Sequence, residues 1–82
     1  MYKLKFEKKA LDFLNKLEKE DKERIWNKLQ KCKEEPFRFL EHLEEIPGYK
    51  LRAGDYRLII DIDNNTNSLH ILKVGLRKNV YD

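Results

Sequence analysis

The sequence predicts an α+β fold, in which a helical hairpin packs on one face of a small antiparallel β-sheet. Apolar residues recur at helical spacing through the first half of the chain, whereas they alternate with polar residues through the second half. The chain has 82 residues, a length that supports one modest core. A single domain over residues 1–82 is therefore expected.

The first half of the chain predicts a strand followed by two helices. Residues 1–6 alternate between apolar and polar, which predicts a short, half-buried strand. From Lys8 onwards the apolar residues recur every three or four positions, which predicts a first helix. After a polar break at residues 18–21, a second helix continues to about Glu35, and Asp21 can cap its start. The apolar side chains on these elements are Tyr2, Leu4, Phe6, Ala10, Leu11, Phe13, Leu14, Leu17, Ile25, Trp26, Leu29 and Cys32.

The second half predicts a three-stranded meander. Pro36 ends the preceding helix, because its ring disfavours the helical conformation at the residue before it. Residues 37–43 are expected to add one or two helical turns, closed by Pro47-Gly48. Strands are then predicted over residues 49–53, 56–63 and 69–76. The residues expected to face the helices are Tyr56, Leu58, Ile60, Ile62, Leu72, Val74 and Leu76.

Positive charge gathers on the sheet face that the helices are expected to leave uncovered. Residues 48–82 carry 6 basic and 4 acidic side chains, while residues 1–47 are nearly balanced. Alternation places many of the basic residues on one face. The predicted face carries Lys3, Lys5, Lys50, Arg52, Arg57, Lys73 and Arg77, against Glu7, Asp61 and Asp63. Such a cluster repels itself unless an anion meets it, so the face predicts a site for a phosphate chain.

Most familiar catalytic sites have no counterpart in the sequence. It contains no glycine-rich phosphate loop and no metal-ligand spacing, so no metal and no cofactor is expected. The single Cys32 excludes an internal disulfide. His42 and His70 are expected to be surface or packing residues. No apolar stretch resembles a signal peptide or a membrane span, so a cytoplasmic protein without a membrane partner is expected.

Lysine, arginine and tyrosine on one face suit RNA. Arginine pairs with phosphate oxygens in a forked geometry, and tyrosine stacks on a base. The same groups can cleave RNA without metal, because a base can activate the ribose 2′-hydroxyl to attack the adjacent phosphate. A lysine can be that base only if neighbouring cations lower its pKa. The alternative is that these are ordinary solvated strand residues.

Three motifs carry a resemblance to a known family. They are Tyr49-Lys50-Leu51-Arg52, Gly54-Asp55-Tyr56-Arg57-Leu58-Ile59 and Val74-Gly75-Leu76-Arg77-x-x-Val80-Tyr81, and Leu43-x-x-Ile46-Pro47-Gly48 leads into them. With these motifs the whole chain resembles the RelE branch of the RelE/ParE toxin superfamily, and is most similar to an archaeal RelE. The resemblance implies a RelE-like toxin that cuts mRNA in the ribosomal A site. It also implies a RelB-like antitoxin as partner, besides the ribosome and mRNA.

The resemblance also implies roles for particular residues. Lys50 and Arg52 match two cations of the second strand, and Arg57 matches the arginine that stabilises the phosphate. Arg77 matches a late arginine at the scissile phosphate or leaving group, and Tyr81 matches a C-terminal tyrosine that stacks on a base or helps to activate the 2′-hydroxyl. Arginine is a poor general base, so Lys50 or Tyr81 would take that role. Residues expected to contact RNA or the ribosome around this set are Lys3, Lys5, Lys73 and Lys78.

Two other functions compete with the mRNA endoribonuclease. A ParE-like toxin of the same fold would inhibit DNA gyrase by protein binding, without nuclease activity. A plain RNA- or protein-binding module would use the basic face only for docking. The combined set of Lys50, Arg52, Arg57, Arg77 and Tyr81 favours the endoribonuclease.

Overall fold

The computed structural model describes residues 1–44 and 47–77. These residues form three helices and five strands in the order β1 (Lys3–Phe6), α1 (Lys8–Asn15), α2 (Lys19–Glu34), α3 (Pro36–Phe39), β2 (Glu41–His42), β3 (Tyr49–Ala53), β4 (Tyr56–Asp63) and β5 (Ser68–Leu76). Across the described residues, no helix is both long and apolar enough to cross a membrane.

The five strands form one sheet in the order β1-β5-β4-β3-β2. The meander β3-β4-β5 and the pair β2-β3 are antiparallel, whereas β1 pairs with β5 in parallel. A parallel pair needs a long crossover connection, and the helices contribute to the one between β1 and β5. The predicted α+β class is confirmed, and the sheet is mixed rather than wholly antiparallel.

The start of α2 differs from the prediction that Asp21 caps it. The helix begins at Lys19 with Glu18 at the N-cap position, so Asp21 lies inside the first turn. A carboxylate there is favoured by the helix dipole, and it accepts a hydrogen bond from the Tyr56 hydroxyl at 3.2 Å. Desolvation and this hydrogen bond raise the pKa of Tyr56, with smaller contributions from nearby carboxylates. Asp21 therefore connects α2 to the start of β4.

The segment after α2 is less helical than predicted. The helix ends at Glu34, as Pro36 predicts, but α3 is a single turn. The chain then becomes extended, and Glu41 and His42 pair with Lys50 and Tyr49 of β3. The prediction of helix as far as residue 43 is wrong, because pairing with β3 satisfies this backbone better than another helical turn would.

The main core lies between the helices and one face of the sheet. Leu58 and Ile60 of β4 are fully buried, as alternation predicts. Leu69 and Ile71 of β5 are also fully buried, together with Leu29 and Cys32 of α2. The apolar residues predicted at helical spacing are only partly buried, since Leu11 is 44% exposed and Trp26 is 50% exposed. They help to line an apolar groove of about 260 Å³ beside the helical hairpin.

A bulge in β5 reverses the predicted orientation of one core residue. Ile59 pairs with Lys73 while Ile60 pairs with Ile71, so Leu72 is an extra residue in β5. Leu72 therefore packs with Ile59 and Leu43 in a second apolar cluster. The prediction that Leu72 faces the helices is wrong, because two-residue alternation breaks at the bulge. The opposite sheet face is also not wholly uncovered, since Leu43 packs over its centre.

The buried thiol of Cys32 should make stability fall at alkaline pH. Desolvation raises the pKa of Cys32 from 9.0 to about 11, against the opposing positive charge of Lys28. The folded state keeps the thiol proton that the unfolded state loses, so this contribution is complete below pH 9 and disappears between about pH 9 and 11. Two pKa units correspond to a loss of up to about 3 kcal/mol.

Urea unfolding of the native protein and of Cys32→Ala at pH 8, 9, 10 and 11 tests this expectation. Tyrosine and lysine titrations are common to both proteins, so the difference between the two pH profiles isolates the thiol. We expect the native protein to lose more stability than the variant over this range. Parallel profiles would contradict the assigned thiol contribution.

Candidate functional site

Two arginines lie side by side on the sheet face opposite the helices. Arg52 of β3 pairs in register with Arg57 of β4, and Arg57 pairs on its other side with Gly75 of β5. Side chains directly opposite each other on antiparallel strands are about 5 Å apart at Cβ. Gly75 has no side chain, so it leaves space next to Arg57. The register therefore places two arginine side chains next to each other, beside a gap in the sheet surface.

A depression of about 530 Å³ opens next to this pair. It is lined by Asp55, Arg57, Leu76 and Arg77. Arg77 follows the end of β5, and its backbone N–H donates to the carbonyl of Asp55 at 2.9 Å. Arg57 is half-buried with its Nε shielded from solvent, whereas Arg77 is exposed. The structure thus brings together two residues that lie 20 positions apart in sequence.

The Asp55 carboxylate is a site component that the sequence reasoning missed. In the sequence, Asp55 falls between the strands predicted over residues 49–53 and 56–63, outside the predicted site. The hydrogen bond from Arg77 to this turn brings Asp55 to the rim of the depression. The sequence around Asp55 gives no signal that it lies near Arg77, because this proximity depends on how the end of β5 pairs with the turn. The carboxylate limits the positive charge of the depression and can compete with a bound phosphate.

Lys50 lies in the neighbouring row of the same face. In this row Lys50 pairs with Ile59, which pairs with Lys73. Lys50 and Arg52 are two residues apart in the strand β3, so the prediction that they share a face is confirmed. The Lys50 Nζ lies 3.3 Å from a carboxylate oxygen of Glu41, and the lysine side chain is 32% exposed. Glu41 was not expected on this face, because β2 was predicted to be helical.

Lys3 and Lys5 lie toward another part of the sheet, where the charges are mixed. Lys3 pairs with Ser68, and Lys5 pairs with His70. Ser68 is seven residues from Gly75 along β5, roughly 23 Å at 3.3 Å per residue. Hydrogen bonds from Thr66 and Asn65, with a smaller contribution from Lys5, lower the pKa of Asp63. The structure therefore does not join these lysines to the arginine pair.

His70 contacts an acidic residue in this mixed region. Its Nε2 lies 2.9 Å from Oε1 of Glu7, which precedes α1. His42, the other histidine, lies in β2, and its Nδ1 is 2.8 Å from the carbonyl oxygen of Leu43. Both rings thus make local contacts. Neither lines the depression beside Arg57.

Two predicted site residues, Lys78 and Tyr81, lie outside the described residues. Their expected contacts remain predictions. Within residues 1–44 and 47–77, no group of three histidine, cysteine, aspartate or glutamate side chains is arranged to hold a metal ion. Among the described residues, the polar groups at the depression are guanidinium groups, backbone groups and one carboxylate.

The fold has counterparts among known toxins. The family described as "ParE toxin of type II toxin-antitoxin system, parDE" matches residues 4–81. No curated protein matches the chain. The chain belongs to this ParE toxin family, within the RelE/ParE superfamily. It is a toxin of a type II toxin–antitoxin system.

Solved structures further define its relatives. The toxin–antitoxin complex RelBE2 from Mycobacterium tuberculosis contains a chain with 29% identity and a TM-score of 0.82, with 93% of this chain and 98% of that chain covered. The archaeal RelE–RelB complex from Pyrococcus horikoshii gives 27% identity, a TM-score of 0.81 and coverage of 96% and 98%. The intact E. coli RelBE complex contains a chain with 28% identity and a TM-score of 0.80, with 93% of this chain and 96% of that chain covered. The fold is therefore that of RelE toxins.

Proposed function

We propose that this toxin is a ribosome-dependent endoribonuclease that cleaves mRNA in the A site and thereby inhibits translation. The observation that carries the proposal is that Arg57 and Arg77 line one depression, with Arg52 next to Arg57 in the sheet. Guanidinium groups at fixed positions stabilise charge that develops on a phosphate during cleavage. The similarity to RelE structures supports the same assignment.

The proposed reaction needs no metal. The 2′-hydroxyl loses its proton and attacks the adjacent phosphorus, and the bond from phosphorus to the 5′-oxygen then breaks. Arg57 stabilises the added negative charge, and Arg77 binds the scissile phosphate or the leaving oxygen. A proton donor completes the 5′-hydroxyl of the downstream fragment. The upstream fragment ends in a 2′,3′-cyclic phosphate.

The contact between Lys50 and Glu41 bears on the general base. A lysine accepts the substrate proton only as a neutral amine. The Lys50 Nζ is engaged in an ion pair with Glu41, so we assign Lys50 and Arg52 to charge stabilisation. Tyr81 is then the proposed base. Lys3, Lys5, Lys73 and Lys78 are the proposed contacts to RNA or the ribosome.

A RelB-like antitoxin is the proposed protein partner. The relatives from M. tuberculosis, P. horikoshii and E. coli are complexes named RelBE2, RelE–RelB and RelBE, in that order. An acidic or amphipathic antitoxin segment would neutralise this toxin by covering the basic face or moving Arg77 and Tyr81. The ribosomal target places the proposed activity in the cytoplasm.

Gyrase inhibition is the second candidate, because the matching family is that of ParE toxins. Such a toxin would act by binding a protein surface and would not need a positioned set of arginines. The described arginine cluster favours the endoribonuclease over this alternative. The two functions differ in which macromolecule is damaged first.

Induced expression in a bacterium separates these candidates. The endoribonuclease should arrest growth and protein synthesis within minutes, with new 5′ ends in translated mRNA. Gyrase inhibition would instead induce the DNA-damage response while mRNA stays intact, and a plain binding module would do neither. An antitoxin co-expressed from the neighbouring reading frame should relieve the arrest. Intact mRNA in arrested cells would contradict the proposed function.

A further inference from the structure

We propose that Arg24 of α2 is an additional RNA-backbone contact, which extends the basic site around the turn between β3 and β4. This inference rests on the proposed action on RNA. Arg24 belongs to the helical layer, so strand alternation does not group it with Arg52 and Arg57. The fold nevertheless carries its side chain to the turn that borders the depression.

The close approach of Arg24 to Gly54 carries the inference. A Cβ built on Gly54 would lie 2.9 Å from Nη1 of Arg24 and 3.1 Å from its Cδ. The guanidinium therefore lies against the glycine backbone, in space that a side chain would occupy. Gly54 also has a φ of +61°, a conformation that glycine adopts at little cost. Glycine at position 54 therefore permits both the backbone conformation of the turn and the close approach of Arg24.

This position is next to the proposed cleavage site. Gly54 precedes Asp55, which lines the depression with Arg57 and Arg77. Consecutive Cα atoms are about 3.8 Å apart, so the glycine that Arg24 contacts lies one residue from the rim of the depression. An RNA strand whose phosphate occupies the depression can therefore place a flanking phosphate on Arg24.

The electrostatic setting leaves Arg24 available for such a contact. Arg24 is exposed, and it forms no ion pair with another residue in the described ranges. Acidic groups near the turn include Asp55 on the rim, Asp21, which accepts the hydrogen bond from Tyr56, and Glu18 and Glu20 at the start of α2. The inference therefore depends on the exposed guanidinium of Arg24, unpaired among the described residues, and not on the net charge of the turn.

The salt dependence of RNA binding tests the inference. The probe is a fluorescein-labelled 12-nucleotide single-stranded RNA with 2′-O-methyl riboses, which blocks cleavage, and binding is followed by anisotropy from 50 to 200 mM salt. Each phosphate contact contributes about 0.7 to the slope of log affinity against log salt. We expect Arg24→Gln to lower the slope by about 0.7 and affinity by about tenfold. Arg24→Lys should restore the slope, since it restores the charge.

Two further variants make the outcomes distinct. Arg38→Gln is the matched control, because Arg38 is an exposed arginine paired with Glu35 at 3.2 Å, and its slope should match the native one. Arg57→Gln tests the proposed site itself. A native slope for Arg24→Gln with a reduced slope for Arg57→Gln would overturn only the Arg24 inference. Native slopes for both would overturn the RNA site.

A protein contact at Arg24 would give another result. In that case Arg24→Gln would weaken neutralisation by the antitoxin and leave the RNA slope unchanged, which overturns the inference. Thermal unfolding of each variant checks the fold. Because Arg24 is exposed, Arg24→Gln should melt close to the native protein, so a change in slope reports the lost contact.

Discussion

Arg57→Gln is expected to lower the rate of mRNA cleavage about 10²–10³-fold, because it removes a charge positioned to stabilise the phosphorane. Arg57 is the residue common to the arginine pair and the depression. Glutamine fills much of the same space, so the sheet around Gly75 should keep its packing. The measurement is the rate at which ribosome-bound mRNA is cut, followed by primer extension.

Arg38→Gln serves as the matched control for this experiment. Arg38 lies on α3 outside the depression and is paired with Glu35. This variant should cleave at the native rate and still arrest growth. Arg77→Gln should resemble Arg57→Gln, since both arginines line the depression. A folded Arg57→Gln protein that cleaves mRNA at the native rate would refute the catalytic assignment.

Ile60→Ala is expected to destabilise the toxin by about 2–5 kcal/mol, because it leaves a cavity in a close-packed core. Ile60 has no exposed surface and lies in the central strand of the sheet. A loss of this size is a large fraction of the 5–15 kcal/mol typical of a small domain. Urea unfolding, with equal slopes for both proteins, measures it as a shift in midpoint.

Ile62→Ala is the matched control for this substitution. Ile62 lies two residues further along the same strand and faces the same side, but it is only half-buried. It should therefore lose less stability than Ile60→Ala. An equal loss for both variants would contradict the position of the core between α2 and the middle of β4.

Strand alternation explains why much of the site could be predicted from sequence. Lys50 and Arg52 are two residues apart, and Arg57 alternates with the buried Leu58 and Ile60. These local patterns fix which face each residue occupies, because the period of a strand is two. The turn at Gly54-Asp55 then sets the register that makes Arg52 and Arg57 neighbours.

Features that depend on contacts between distant segments were not predictable in this way. The bulge at Leu72 depends on how β5 pairs with β4, and it displaced one residue from the predicted core. The edge strand β2 depends on β3, so residues predicted as helix became extended. Asp55 and Arg24 became part of the site surroundings through the end of β5 and through α2, which alternation within a strand does not describe.

The bulge has a consequence for the site. Its extra residue, Leu72, belongs to the second apolar cluster and lies three residues from Gly75, which is next to Arg57. Bulges increase local twist and re-aim side chains, and they occur often near active sites. In this toxin the bulge turns Leu72 to the basic face, so an apolar surface adjoins the cations. A nucleic acid on this face would therefore meet charge at one end and apolar packing at the centre.

Cleavage of mRNA on purified ribosomes tests the central claim most directly. Ribosomes programmed with a defined mRNA, an occupied P site and an empty A site are mixed with the toxin, and the products are mapped by primer extension. The proposed function predicts a cut within the A-site codon, a 2′,3′-cyclic phosphate on the upstream fragment, and no cut when a 2′-deoxy nucleotide precedes the scissile bond. Intact mRNA on these ribosomes, together with inhibition of DNA supercoiling by gyrase, would contradict it.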